Sequence, residues 1–217
     1  MSAVASVSRD QGSRPEAART RAVVLALATI AGAFFIAGSA LPYLAPDTVH
    51  AARYASRRAW LLAHLAAGTV ALLVGPVQIW LGLGRRWLGL HRRLGIAYAA
   101  SVAVGSVAAF GLAARTQLGW VVGMGLTGLG VAWLVTTGLA LLAVRRGLIA
   151  QHQEWMVRSY VVTFAFVTFR AFWTLLQAMG VGTLPEQLAA ASWFCWAVPL
   201  LVTEAVLQGR KIVLAHS

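Results

Sequence analysis

Six apolar runs dominate the chain, each about as long as a membrane is thick. They cover roughly Ala22 to Leu44, Ala59 to Gly84, His91 to Ala114, Leu118 to Val144, Val157 to Ala178 and Gln187 to Leu207. A helix crosses the hydrocarbon core with about 20 residues. Runs this long and this apolar satisfy their backbone polar groups in lipid only as helices. The pattern therefore predicts an all-α membrane protein, a bundle of six transmembrane helices with helices 2–5 as its core. Residues 1–20, rich in Ser, Ala and Arg, read as a disordered cytoplasmic tail, 21–208 as the six-helix transmembrane domain and 209–217 as a second cytoplasmic tail. The first run has small residues at Ser39-Ala40 that suit a leader cleavage site. It is longer than a leader's apolar core and reads as a retained span.

Composition agrees and narrows the choice. The 217 residues are 59% hydrophobic and 11% charged, with mean hydropathy +0.74. A soluble domain carries roughly 25% charged residues, and six spans leave no room for a separate one. The net charge of +12 would suggest nucleic acid in a soluble protein. Here the basic residues flank the apolar runs, so no nucleic-acid partner is expected and membrane lipid is. Thirteen of them fall on one side: Arg9, Arg14, Arg19, Arg21, Arg85, Arg86, Arg92, Arg93, Arg145, Arg146, Arg158, Arg210 and Lys211. Four fall on the other: Arg53, Arg57, Arg58 and Arg115. The positive-inside rule then places both termini in the cytoplasm of a multi-pass protein of the bacterial inner membrane. The three arginines of the first outer loop suit an interfacial helix. The single cysteine, Cys195, excludes an intramolecular disulfide.

Strongly polar residues inside the spans are costly in hydrocarbon and point to a site. They are His64 and Gln78 in the second span, Arg170 in the fifth and Glu204 in the sixth, while His91 and His152 open the third and fifth. His152 and Arg170 are five helical turns apart, so an unbroken fifth helix carries both on one stripe with Ser159 and Thr163. In the second span His64 and Gln78 flank a strip of small residues, Gly68, Ala71 and Gly75, where a helix or flat ligand can come close. Arg85-Arg86 with His91 is echoed by Arg145-Arg146 with His152. A parallel repeat related by an axis along the membrane normal brings the two histidines to equal depth. Two such imidazoles are what axial ligation of haem iron requires. The same offset sets His64 against Met124, and His/Met is another haem pair. His64, Gln78 and Arg170 then line a polar site nearer the outer side for haem, quinone or a lipid head group, with Arg170 holding an anion such as a propionate or phosphate.

Several strings carry a resemblance. They are His64 with Gly75-Pro76-Val77-Gln78, Leu90-His91-Arg92-Arg93-Leu94-Gly95, and His152-Gln153-Glu154-Trp155-Met156-Val157-Arg158-Ser159-Tyr160 with Thr168-Phe169-Arg170. Over residues 60–175 the chain resembles an uncharacterised family of bacterial predicted membrane proteins, domain of unknown function 2306, a likeness that implies no activity. More distantly, the string around His91 is similar to the His-Ser-Trp-Leu-Gly string of transmembrane b-type cytochromes at the His, Leu and Gly. That resemblance implies haem b ligation by His91, although those cytochromes use histidines on four successive helices and the fourth span here has none. The leading expectation is thus haem b binding or quinone-linked electron transfer, with a redox partner subunit. The alternative is a non-catalytic accessory or assembly subunit. A small transporter ranks last, because Arg170 has no carboxylate at its depth and no broken-helix pair is expected.

Overall fold

The computed structural model describes residues 8–44, 54–84 and 87–215. Seven α-helices follow one another: α1 Ser8–Phe35, α2 Arg58–Gly84, α3 Leu88–Ala113, α4 Trp120–Arg145, α5 Ile149–Thr163, α6 Ala165–Ala178 and α7 Leu184–Leu214. No strand occurs among the described residues. Five helical stretches are long and apolar enough to cross a membrane, and the α5–α6 pair, bent by 44°, makes a sixth. The protein is a helical membrane bundle with five such spans, or the expected six where the bent pair crosses as one. Of the three arginines expected on an interfacial helix, Arg53 lies outside the described residues, as does the Arg85-Arg86 pair, while Arg57 closes a short 3-10 turn, Ala55–Arg57, that leads into α2 at Arg58. α1 begins at Ser8 and α7 runs on to Leu214. Good helix formers such as Ala17, Ala18 and Arg19 let the first span continue outward.

α2 packs on α3, α3 on α4, α4 on α5 and α5 back on α2, which closes a four-helix ring. α7 covers α4, α5 and α6 from outside, and α1 leans on α2. The ring's centre is filled by Ala71, Tyr98, Val102, Leu129, Trp133, Tyr160 and Val162. Side chains turned outward, such as Ile96 (72% exposed) and Leu201 (70% exposed), are apolar, which is tolerable only where the surroundings are hydrocarbon.

One small motif explains how α2 receives α5. Pro76 sits inside α2 and has no N–H, so the carbonyl of Leu72 loses its helical partner. The Tyr160 hydroxyl donates to that carbonyl at 3.2 Å. Gly75 lets the ring reach it, since a Cβ there would overlap the Tyr160 ring.

The fifth span departs from its expected form. It breaks at Phe164, so the five-turn stripe from His152 to Arg170 is cut between Thr163 and Arg170. Neither proline nor glycine marks the break. The Thr163 hydroxyl donates back to the Ser159 carbonyl at 2.9 Å, a contact that bends helices. It is also held from the side by α3 and α4, through the bonds described next.

Candidate functional site

His91 and His152 each lie one turn into their helix, on α3 and α5, diagonal across the ring. Their ring centroids are 6.5 Å apart, with the planes at 87°. The His152 Nδ1 lies 2.9 Å from the Ala140 carbonyl on α4. A carbonyl only accepts, so Nδ1 carries the proton and Nε2 is left with a free lone pair. The His91 Nδ1 is buried and has no hydrogen-bond partner. A cavity of about 40 Å³ is lined by both rings together with Gln78, Tyr98, Thr137 and Met156. The sequence assigned Gln78 to the outer polar group with His64. Instead it belongs to the histidine pair: its Nε2 donates to the His91 carbonyl at 2.7 Å. The same bond settles the amide orientation and leaves Oε1 buried without a donor.

Beneath the cavity lies a hydroxyl network. Tyr98 Oη is 2.8 Å from Ser159 Oγ and 2.7 Å from Thr163 Oγ1. Thr137 Oγ1 is 2.7 Å from Ser159 Oγ, and Trp133 Nε1 donates to Thr163 Oγ1 at 2.8 Å. Because the Thr163 proton goes to the Ser159 carbonyl, Thr163 can only accept from Tyr98 and Trp133. Tyr98 then accepts from Ser159, and Ser159 from Thr137. The reverse order forfeits one hydrogen bond. The favoured order leaves the lone pairs of Thr137 free at the cavity wall. Sequence reading noted Ser159 and Thr163 but missed Tyr98, Thr137 and Trp133, whose polar atoms are hidden in apolar runs.

The other expected site residues do not join this group. His64 Nδ1 sits 3.0 Å from the Gly105 carbonyl, with its ring edge-on to Phe166 at 5.5 Å. Arg170 lies over the Trp173 ring at 5.3 Å. Among the described residues it has neither a hydrogen bond nor an ion pair. Neither His64 nor Arg170 lines the small cavity, and neither lines a larger groove of about 670 Å³ at the far end of α3 and α4. That groove does include Met124, which is 55% exposed. Glu204 is paired with Arg158, whose Nε donates to Oε2 at 2.8 Å. Glu154 and Lys211 extend this ionic group, which ties α5 to α7 near the histidine end.

No curated protein and no solved structure matches the chain. A family model described as Predicted membrane protein (DUF2306) matches residues 61–207, from the second span through the sixth and including every residue of the cavity. With two thirds of its length under that model, this multi-pass membrane protein belongs to the DUF2306 family.

Proposed function

We propose that the chain is a metal-binding redox protein of the bacterial inner membrane, with His91 and His152 as ligands to one metal centre near the cytoplasmic face. The observation that carries this reading is the 6.5 Å between the ring centroids. Metal–nitrogen bonds of about 2.0 Å and an imidazole radius of about 1.2 Å put two opposed ligands roughly 6.4 Å apart, centroid to centroid. The Ala140 carbonyl on His152 Nδ1 adds support, because ligating histidines characteristically donate their other N–H to such an acceptor.

Haem b is the group the cytochrome resemblance implies, and the donor pair suits its iron. The space does not. A cavity of about 40 Å³ admits an ion or a few waters, whereas small-molecule pockets run to about 300–1,000 Å³. Quinone-linked transfer is left to the far groove, which has a ligand's volume and contains none of the expected polar residues.

The test is purification in mild detergent, followed by metal analysis and an absorption spectrum. The wild type should retain close to one metal per chain, and His91→Ala and His152→Ala should each lose it while the protein stays monodisperse. Metal-free wild-type protein would overturn the reading. A Soret band would replace the bare ion by haem.

Arg170 favours a second reading, the accessory subunit. An unpaired guanidinium within a span needs an anion, and a partner's carboxylate or a lipid phosphate would supply one. Arg170→Leu should then release a co-purifying subunit or lipid without disturbing the histidine site. Unchanged co-purification would remove this reading.

A further inference from the structure

We infer that the metal is copper, held as Cu(I) between the opposed His91 and His152 imidazoles with the Met156 thioether as a weaker third donor; the inference rests on the proposed ligation by the histidine pair. Met156 follows His152 by one helical turn on α5 and lines the same cavity, so both side chains project from one face.

The donors on offer exclude the commoner ions. Among the described residues no three His, Cys, Asp or Glu side chains converge. Mg²⁺, Ca²⁺ and Mn²⁺ want carboxylate and other hard oxygens, and no carboxylate lines this cavity. Structural zinc takes four ligands from Cys, His, Asp and Glu, and only two of that kind are present. Two imidazoles and a thioether are a soft set, and thioether sulfur selects Cu(I).

The occupant is also an electron-pair acceptor. Gln78 is 3% exposed with Oε1 unpaired, and the favoured hydroxyl order leaves Thr137 with free lone pairs. The His152 Nε2 lone pair is free as well. Electron-pair acceptors answer all three, the metal at the imidazole and the protons of a water beside it at the two oxygens, and an anion answers none. Two glycines make the room: a Cβ at Gly82 would lie 3.2 Å from His91 Cε1, and one at Gly95 would lie 3.3 Å from Gln78 Nε2. Both contacts are tighter than such atoms ordinarily tolerate.

The experiment titrates metal-stripped, detergent-purified full-length protein with Cu(I) under reducing conditions, in competition with a coloured Cu(I) chelator, and separately with Zn(II). Wild type should bind one Cu(I) in preference to Zn(II). Met156→Leu conserves volume and apolar character, so it should melt normally. It should weaken Cu(I) by about tenfold or more and remove the sulfur scatterer from the copper X-ray absorption spectrum, with Zn(II) binding unchanged. Cu(I) binding that ignores Met156→Leu, or a preference for Zn(II), overturns the copper assignment and leaves the histidine site standing. Wild-type protein that binds neither ion overturns both.

Discussion

The Tyr160 hydroxyl donates to the carbonyl of Leu72 at 3.2 Å, the acceptor that Pro76 strips of its helical partner. A residue on the fifth span thereby completes the backbone of the second. Tyr160→Phe should cost about 1–2 kcal/mol, the usual penalty for an unpaired buried polar group. In a Pro76→Ala background the restored N–H supplies Leu72, so the same substitution should cost clearly less. Thermal melts of the four proteins form the double-mutant cycle, and equal costs in both backgrounds would show that the bond does not work this way.

Thr163 is the hub of the hydroxyl network, with bonds to Tyr98, Trp133 and the Ser159 carbonyl. Thr163→Val removes them together and leaves the Trp133 N–H and Tyr98 hydroxyl short of partners. It should cost about 2–4 kcal/mol. Thr137→Val ends the chain one step from the cavity, strands only one acceptor and should cost about 1 kcal/mol. Melting temperatures in detergent should rank the two in that order.

Arg158 and Glu204 are unequal partners. The Arg158 side chain is 8% exposed and that of Glu204 is 45%. Losing the carboxylate strands a buried cation, while losing the cation leaves a carboxylate that water can reach. Glu204→Leu should therefore destabilise more than Arg158→Leu. The loss should be about 1–2 kcal/mol, held below that of a fully buried pair by the exposed carboxylate and by Glu154 nearby.

Much of this was legible in the chain and some was not, for identifiable reasons. The spans were legible because hydrocarbon leaves backbone no choice but helix. The two histidines stood out because Arg85-Arg86 precedes His91 much as Arg145-Arg146 precedes His152, with His91 five residues after Arg86 and His152 six after Arg146. Gln78 was misplaced because its phase was reckoned from His64 across Pro76. Its true partner, the His91 carbonyl, belongs to another helix and has no local signature. The break at Phe164 was invisible too. What marks the place is Thr163, a residue that helices ordinarily tolerate, whose hydroxyl is held by partners 30 and 65 positions away.

The charge split predicts which side each loop occupies. Gln117 lies between α3 and α4, and Gly180 between α6 and α7. Reporter domains fused after either residue should be active outside the cytoplasm, while fusions after Gly147 should be active inside it. A cytoplasmic signal at Gln117 or Gly180 would overturn the orientation.

The bend at Phe164 has a consequence for biosynthesis. α5 spans 15 residues and α6 spans 14, so each rod is about 21–23 Å long against a hydrocarbon core of about 30 Å. Neither half is a complete insertion signal. As the chain emerges from the ribosome, α5 has nothing to cross with until α6 has been made. Both rods must therefore enter the bilayer together, and the paired imidazoles can meet only after residues far beyond His152 have been translated.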